Sequence, residues 1–228
     1  LKIKDRQSLL NYKNLAANPE ILDSYLTDLS AVSKKLYKTF TPDQKLCFLI
    51  NAYNGFTLKL IIKNYPVKSI KDIGTFFTKP WSIEFFKLFG EKFTLDKIEH
   101  QTIRKNFKEA KIHFAVNCAS ISCPSLYKEA FVENKLQQQL TEASVNFLKN
   151  SRKNQINILG QASNQAKTIK LSKIFSWYGE DFDKYETSVK YFIAKSLNYS
   201  EQQRSIMLSN DIDLDYLEYD WSLNEWID

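Results

Sequence analysis

The sequence has few of the residues that interrupt regular secondary structure or cross-link a chain. Only five glycines, five prolines and three cysteines occur among 228 residues. So little glycine and proline argues against a loop-rich β-sandwich, and three cysteines are too few for a disulfide scaffold. Hydrophobic residues at 43% and aromatic residues at 14% exclude a chain that stays unfolded. These values predict a soluble globular protein with long regular elements, most of them helices.

Long apolar runs are also absent. The longest, at positions 46–62, is interrupted by Asn51, Asn54 and Lys59, so no membrane span is expected. The chain starts at Leu1 rather than Met, which leaves open a signal segment trimmed from the N-terminus. The localisation is therefore unknown, and export to the periplasm is expected only if such a signal preceded Leu1.

Positive charge is missing from the C-terminal end of a chain whose formal net charge is +6. Between Asp211 and Asp228 there are seven acidic residues and no lysine or arginine. We expect this acidic, aromatic tail to fold back over the basic body, because Trp221 and Trp226 are too apolar for a solvated tail. Nucleic acid is not an expected partner, since the lysines are scattered and no recognition motif is present.

Periodicity predicts one α+β domain over residues 1–228, mostly helical with a small antiparallel sheet. Thr41, Pro42 and Gln44 form a helix start with a capping box, and this helix should end near Asn64, before Tyr65-Pro66. Residues 1–39 are interpreted as an N-terminal helical extension to a core at about 40–228. Further helices are predicted at 18–36, 94–107, 132–149, 171–178 and 186–197, a strand at 111–117, and a hairpin from 155–159 and 166–171.

Three polar side chains fall on faces that should be buried. Glu99 lies in the middle of an apolar helical stripe, with His100 at its edge. This carboxylate could bond to backbone amides or to Arg104, or it could orient a histidine or bind a ligand. Asn51 and Asn54 face inward on the preceding helix, where each amide either joins structural elements or points into a pocket.

Residues 113–124 carry the densest set of chemically active side chains. The chain has only two histidines, His100 and His113, and both lie near Cys118 and Cys123. A cysteine at a helical turn gains a lowered pKa from the backbone amides, and a nearby histidine completes the minimum for a thiolate nucleophile.

Other interpretations of this segment stay open. The order His113, Cys118, Cys123, with His100 or Glu99, provides ligand types that zinc accepts, although the spacing fits no compact zinc motif. The two cysteines could instead be buried or joined in a disulfide, with the histidines bonded to backbone groups.

Five motifs in order resemble the family known as domain of unknown function 547. They are Asn51-Ala-Tyr-Asn54; Leu95-Asp-Lys-Ile-Glu99-His100 with Arg104; His113 through Pro124; Leu171 through Tyr178 with Asp181-Phe182; and Tyr219 through Asn224. The resemblance runs from about residue 40 to the C-terminus. It implies a likeness to bacterial members, which are often exported single domains; the coiled-coil segment of plant members has no counterpart here. One departure is Ser125, where members often have a second proline after Cys-Pro.

The site that we predict serves a cysteine-dependent hydrolase or acyl transferase. Cys123 is the preferred nucleophile, His113 the base, and Glu99 or His100 the group that orients it. The ligand-binding residues are predicted to be Asn51, Asn54, Asn117, Cys118 and Ser120. Neither a cofactor nor a resident metal is expected. Histidine precedes cysteine in the chain, so likeness to a papain-like fold would require a permuted arrangement. The alternatives are a non-enzymatic module that binds a small molecule or a peptide, and a zinc site.

Overall fold

The protein, described by a computed structural model over residues 1–158 and 167–227, has the predicted mostly helical α+β fold. The α-helices are α1 (Tyr12–Ala17), α2 (Glu20–Ala31), α3 (Lys34–Thr39), α4 (Pro42–Asn64), α5 (Arg104–Asn106), α6 (Leu136–Leu148), α7 (Lys173–Trp177), α8 (Gly179–Glu186), α9 (Val189–Ser196) and α10 (Glu201–Leu208). A π-helix spans Lys97–Ile103, and short 3₁₀ turns lie at Ile70–Asp72, Pro80–Ser82, Ala110–Phe114 and Glu133–Lys135. The strands are β1 (Lys2–Lys4), β2 (Gln7–Leu9), β3 (Phe86–Leu88), β4 (Glu91–Phe93), β5 (Lys167–Leu171) and β6 (Ile212–Tyr216).

The described strands form three separate pairs. β1 pairs with β2 and β3 with β4, both antiparallel, as the prediction of a small antiparallel sheet requires. The third pair, β5 with β6, is parallel and joins the acidic tail to the body. The predicted hairpin at 155–171 is seen only as an antiparallel bridge between Gln155 and Lys170; residues 159–166 lie outside the described part of the chain.

Helix α4 begins and ends where its sequence signals predict. The Thr41 hydroxyl accepts a hydrogen bond from the Gln44 amide, and the Gln44 side chain accepts one from the Thr41 amide, which closes the capping box. Most of the helix from Leu46 to Ile62 is buried, and α4 runs through the first of two hydrophobic clusters. The second cluster surrounds α6 and α9 and is rich in phenylalanine.

The segment predicted as a strand at residues 111–117 is not a strand: Ala110–Phe114 form a 3₁₀ turn, and residues 115–117 follow it outside any helix or strand. His113, like Ile112 and Phe114 on either side of it, is at most 2% exposed. Alternation of apolar residues indicates a strand only when one face meets solvent, and here every side is covered. This turn carries the chain from the second cluster into the first, and it places His113 between them.

The two ends of the chain meet at the cysteine-bearing loop. Residues 1–39 begin with the β1–β2 hairpin, so the extension is less helical than predicted. The buried Tyr12 donates its hydroxyl to Asn224, and Asn224 donates its amide to the Ala119 carbonyl. Ile121 donates to the Ser222 carbonyl at 2.8 Å. The prediction that the acidic tail packs on the body is confirmed.

None of the helices in the described ranges is both long and apolar enough to cross a lipid bilayer.

Candidate active site

A cavity of about 550 Å³ opens beside the cysteine-bearing loop. Its walls include Glu99, His100, His113, Cys118 and Cys123, whereas Asn51, Asn54 and Asn117, which were also expected at the site, do not line it. The remaining lining residues are Tyr53, Lys79, Trp81, Asp96, Gln101, Val116, Pro124, Ile174, Trp177, Tyr178, Tyr219 and Trp221. The structure therefore brings together both histidines and two of the three cysteines of the chain.

The loop that carries the cysteines is held from behind by two buried amides. Asn54 donates to the Ala115 carbonyl at 2.9 Å and accepts from the Asn117 amide at 2.8 Å. The Asn117 side chain accepts from the Ala119 amide and donates to the Pro124 carbonyl. These contacts close the loop from residue 115 to residue 124 onto α4. Both side chains thus satisfy backbone groups that would otherwise be buried without partners.

The other amide and hydroxyl predicted to bind a ligand also have structural partners. Asn51 donates to the carbonyl of Phe131 and accepts from its amide, each at 2.9 Å. Ser120 is fully buried and donates its hydroxyl to Tyr219 at 3.1 Å. Neither side chain is among the residues that line the cavity.

The two cysteines of the loop differ in exposure and in acidity. Both are free thiols with their sulfurs 2.8 Å apart, but Cys123 is only 3% exposed while Cys118 is partly exposed. The hydrogen bond from Cys123 lowers the pKa of Cys118 to about 7 despite burial, and the hydroxyls of Ser120 and Tyr219, each 3.3 Å from its sulfur, act in the same direction. Burial, followed by the contact with Cys118, raises the pKa of Cys123. Cys118 is therefore the thiolate near neutral pH and Cys123 its thiol donor.

A buried lysine lies behind Cys123. Lys153 donates from its Nζ to the Cys123 carbonyl and to the side-chain oxygen of Gln7. Burial lowers the pKa of Lys153 to about 8. Its amine ties the end of the loop to the N-terminal hairpin, but Lys153 is not part of the cavity wall.

The protonation state of His113 follows from its partners. Its Nε2 lies 2.7 Å from Asp181 Oδ2. Burial alone would raise the pKa of Asp181, but hydrogen bonds from His113 and Arg104 hold it well below its usual range. An ionised carboxylate only accepts, so Nε2 carries the proton, and burial lowers the pKa of the imidazole and keeps it neutral. The remaining nitrogen, Nδ1, is a buried acceptor with no hydrogen-bond partner among the described residues.

Asp181 is itself fixed by Arg104. The guanidinium donates to both carboxylate oxygens, Nε at 2.7 Å and Nη2 at 3.2 Å. Arg104 also reaches His100 Nδ1 at 3.3 Å. The interpretation in which Arg104 neutralises Glu99 is therefore wrong, because the two donors are directed at Asp181.

Glu99 is buried and hydrogen-bonded, as predicted. It is 5% exposed, and its Oε1 accepts from the Tyr178 hydroxyl at 2.7 Å. The Tyr178 ring stacks on His113 with ring centroids 3.9 Å apart. Glu99 and His113 are thus joined through Tyr178. The other histidine, His100, is exposed at the rim and lies 3.8 Å from Asp96.

Some of the site residues escaped prediction from the sequence. Asp181 and Tyr178 lie more than sixty residues from His113 and on different elements. No local pattern gives either one a role, although both belong to the motifs on which the family resemblance rests. The same holds for Tyr219 and Trp221, which the C-terminal segment brings into the cavity wall.

No group of three or more histidine, cysteine, aspartate or glutamate side chains converges on a metal position within residues 1–158 and 167–227. The zinc interpretation needs at least one further ligand beside the two thiols. The geometry of the cavity gives it no support.

Residues 37–148 match a family described as "Protein of unknown function, DUF547". The matched segment includes α4, the π-helix with Glu99, and the loop with both cysteines. Neither a curated protein nor a solved structure matches the chain.

Proposed function

Residues 37–148 belong to the DUF547 family, and we propose that this member is a cysteine-dependent hydrolase or acyl transferase. The nucleophile is Cys118 rather than Cys123. His113 is the general base, and Asp181, rather than Glu99 or His100, orients it. The observation that carries the proposal is that a thiol with a pKa of about 7 and an imidazole with an unpartnered Nδ1 line the same cavity.

The nucleophile is assigned to Cys118 because it alone combines access with acidity. Cys123 is buried and its pKa is raised, so its sulfur remains a thiol that supports its neighbour. The Cys118 sulfur contacts two donors, the Cys123 thiol and the Tyr219 hydroxyl, which stabilise a thiolate more than a neutral thiol, and Ser120 donates in turn to Tyr219. Cys47, the third cysteine, is buried in α4, and burial raises its pKa to about 11.

The reaction class follows from these roles. The Cys118 thiolate adds to the carbonyl carbon of an ester, thioester or amide, and the electron pair of the C=O bond moves to oxygen. The adduct then expels its leaving group, which takes a proton from solvent, and a thioester remains on Cys118. Water or an acceptor alcohol or amine loses a proton to His113 and attacks this thioester, which releases the acyl product and restores the thiolate, and the imidazolium returns its proton to solvent.

Asp181 supports His113 throughout this cycle. Its carboxylate holds the Nε2–H tautomer, which leaves Nδ1 available to accept a proton, and it stabilises the imidazolium once it forms. The bidentate contact with Arg104 fixes the carboxylate in position. Aspartate, arginine and histidine therefore act as one hydrogen-bonded unit, with the stacked Tyr178 covering the imidazole.

The proposal is tested by trapping the acyl-enzyme with p-nitrophenyl acetate. We expect a burst of p-nitrophenolate equal to the protein concentration and a mass gain of one acetyl group on Cys118. The burst should vanish in Cys118→Ser and persist in Cys47→Ser, whereas His113→Ala should slow the steady-state turnover that follows the burst. A burst that persists in Cys118→Ser would rule out this nucleophile.

A non-enzymatic binding module is the second candidate. Aromatic rings line one side of the cavity. The ring centroids of Trp177 and Trp221 are 5.7 Å apart in a stacked arrangement, and those of Tyr219 and Trp221 are 4.4 Å apart. Such a wall binds flat or cationic groups without any chemistry. Saturable binding of a peptide or small molecule that is unchanged in Cys118→Ser, together with no acyl-enzyme in the wild type, would favour this candidate.

A further inference from the structure

Glu99 is a buried carboxylate without a cationic partner. Only 5% of the residue is exposed, and within residues 1–158 and 167–227 the hydrogen bond to its carboxylate comes from a neutral tyrosine hydroxyl. Ion pairs within 4.0 Å occur at other carboxylates, but in the described ranges none involves Glu99. A charge removed from water is normally paired in a folded protein. The missing partner therefore points to something that enters the cavity.

The basic side chains around the cavity form no ion pair with Glu99 in the described part of the chain. Arg104 directs its guanidinium at Asp181, 2.7 Å from Nε to Oδ2. His113 has its Nε2 proton on the same carboxylate, and burial lowers the pKa of its imidazole. Lys79 lines the cavity but belongs to an exposed segment. None of the three compensates the Glu99 carboxylate by direct contact.

The backbone around Glu99 is unusual in a way that places the side chain inward. Residues 97–103 form a π-helix, and such irregular turns occur disproportionately at functional sites. The Thr102 hydroxyl donates to the Lys97 carbonyl five residues earlier, within this wider turn. The turn keeps Ile98, Glu99 and Ile103 all buried.

The rest of the wall also favours a cation. Trp177 and Tyr219 line the cavity with aromatic surface, which attracts ammonium groups. The rings of Trp221 and Tyr178 already attract cations of the chain itself, with Lys71 at 3.8 Å and Arg104 at 5.0 Å from the respective ring centroids. Among the described lining residues the full formal charges are those of Lys79, Asp96, Glu99 and the Cys118 thiolate, with three anions against one cation. This local balance is opposite to the +6 of the whole chain.

From these observations we infer that the cavity takes an acyl substrate bearing a protonated amine, with the ammonium group held by Glu99 and the aromatic wall while the acyl carbon meets Cys118. The inference rests on the proposed function, because it assigns Cys118 as the reacting atom. Glu99 is a binding residue for the substrate class, and Tyr178 connects it to the face of His113.

The test uses three thiol reagents of equal mechanism and different charge. They are 2-aminoethyl, methyl and 2-sulfonatoethyl methanethiosulfonate, which are a cation, a neutral molecule and an anion. In each case the Cys118 thiolate attacks the sulfenyl sulfur, a mixed disulfide forms, and methanesulfinate leaves with the electron pair. Peptide mass spectrometry identifies the modified cysteine, and the rate of modification of Cys118 is measured for each reagent. Dividing each rate by the rate of the same reagent with free 2-mercaptoethanol removes differences in the intrinsic reactivity of the reagents.

We expect the wild type to favour the cation over the anion by at least about tenfold, although its positive net charge alone would favour the anion. Glu99→Gln keeps an oxygen that can accept from the Tyr178 hydroxyl but removes the charge. The ratio of the rate with the cationic reagent to the rate with the anionic reagent should therefore fall severalfold. The matched control is Glu91→Gln, an exposed carboxylate paired with Lys34, which should retain the wild-type ratio. A wild-type ratio of one or below would overturn the inference.

A second measurement remains decisive if Glu99→Gln does not fold. Propylammonium should slow the reaction of the wild type with the neutral reagent, whereas propionate at equal ionic strength should not. Equal protection by both ions would overturn the inference. Failure of the proposed function looks different: the neutral reagent itself would then react with Cys118 no faster than with an ordinary thiol at pH 7.

Discussion

At the scale of single residues, two identical side chains have been given opposite properties by their surroundings. The sulfurs of Cys118 and Cys123 are 2.8 Å apart, so a negative charge on one excludes a charge on the other. Exposure and the hydroxyls of Ser120 and Tyr219 place that charge on Cys118. The spacing in the sequence identified the two cysteines as a pair, but it could not show which of them carries the negative charge. The choice depends on Tyr219, which is 101 residues from Cys118.

Asp181→Asn tests the residue that orients the base. The pKa of the folded carboxyl is lowered, so its ionised form stabilises the fold above about pH 4 and this stability is lost as the pH falls below that value. We expect Asp181→Asn to lower the free energy of unfolding by roughly 1–3 kcal/mol at pH 7, because His113 and Arg104 lose a charged partner. The difference from wild type should shrink towards pH 3.

Urea unfolding of the wild type and of Asp181→Asn at several pH values measures this difference in the free energy of unfolding. The exposed strand residue Asp213 provides the matched variant, Asp213→Asn, which should change stability little at any pH. A loss in Asp181→Asn that stays constant from pH 7 to pH 3 would show that the charge of this carboxylate is not what stabilises the fold.

At the scale of elements, the predictions succeeded where the signals were local. The capping box and the Tyr65-Pro66 boundary lie within the chain segment that they define, so α4 could be predicted at both ends. The segment at 111–117 failed because its environment is set by distant residues. Phe147 and Phe192 pack on Phe114, and no solvent-exposed face remains to give the alternation meaning.

Two asparagines on α4 offer a matched pair for testing how the helix positions the loop. Asn54→Ala leaves the Ala115 carbonyl and the Asn117 amide without their partner and should destabilise the fold by roughly 2–4 kcal/mol. Asn51→Ala breaks two equivalent bonds to Phe131, away from the cysteines. Both variants should melt at lower temperature, but only Asn54→Ala should also slow alkylation of Cys118. Equal effects of the two substitutions on the thiol would contradict this role of Asn54.

At the scale of the whole molecule, the site is assembled from both ends of the chain. Tyr12 near the N-terminus bonds to Asn224 near the C-terminus, and the segment between β6 and the C-terminus lies against the cysteine-bearing loop. The composition of the tail predicted that it would pack on the body. The sequence could not show that the tail would form part of the cavity wall, because β-bridges such as Ser120 to Leu223 join residues that are far apart in the chain.

Truncation after Asn210 tests whether the tail is part of the fold. The shortened chain loses β6, and with it the parallel partner of β5, and it also loses Tyr219 and Trp221 from the cavity. We expect a lower melting temperature and reduced solubility, since buried residues such as Ile169 lose their cover. A truncated protein that melts at the wild-type temperature would contradict this account of the tail.

The central claim is that Cys118 is a thiolate near neutral pH because Cys123 donates to it. The most direct test is the rate of alkylation by iodoacetamide as a function of pH, with the modified cysteine located by peptide mass spectrometry. We predict that Cys118 is modified with a midpoint at about pH 7, and that Cys123→Ala moves this midpoint up towards the ordinary thiol value of about 8.5. Modification of Cys123 in preference to Cys118, or a wild-type midpoint that is already at the ordinary value, would contradict the claim.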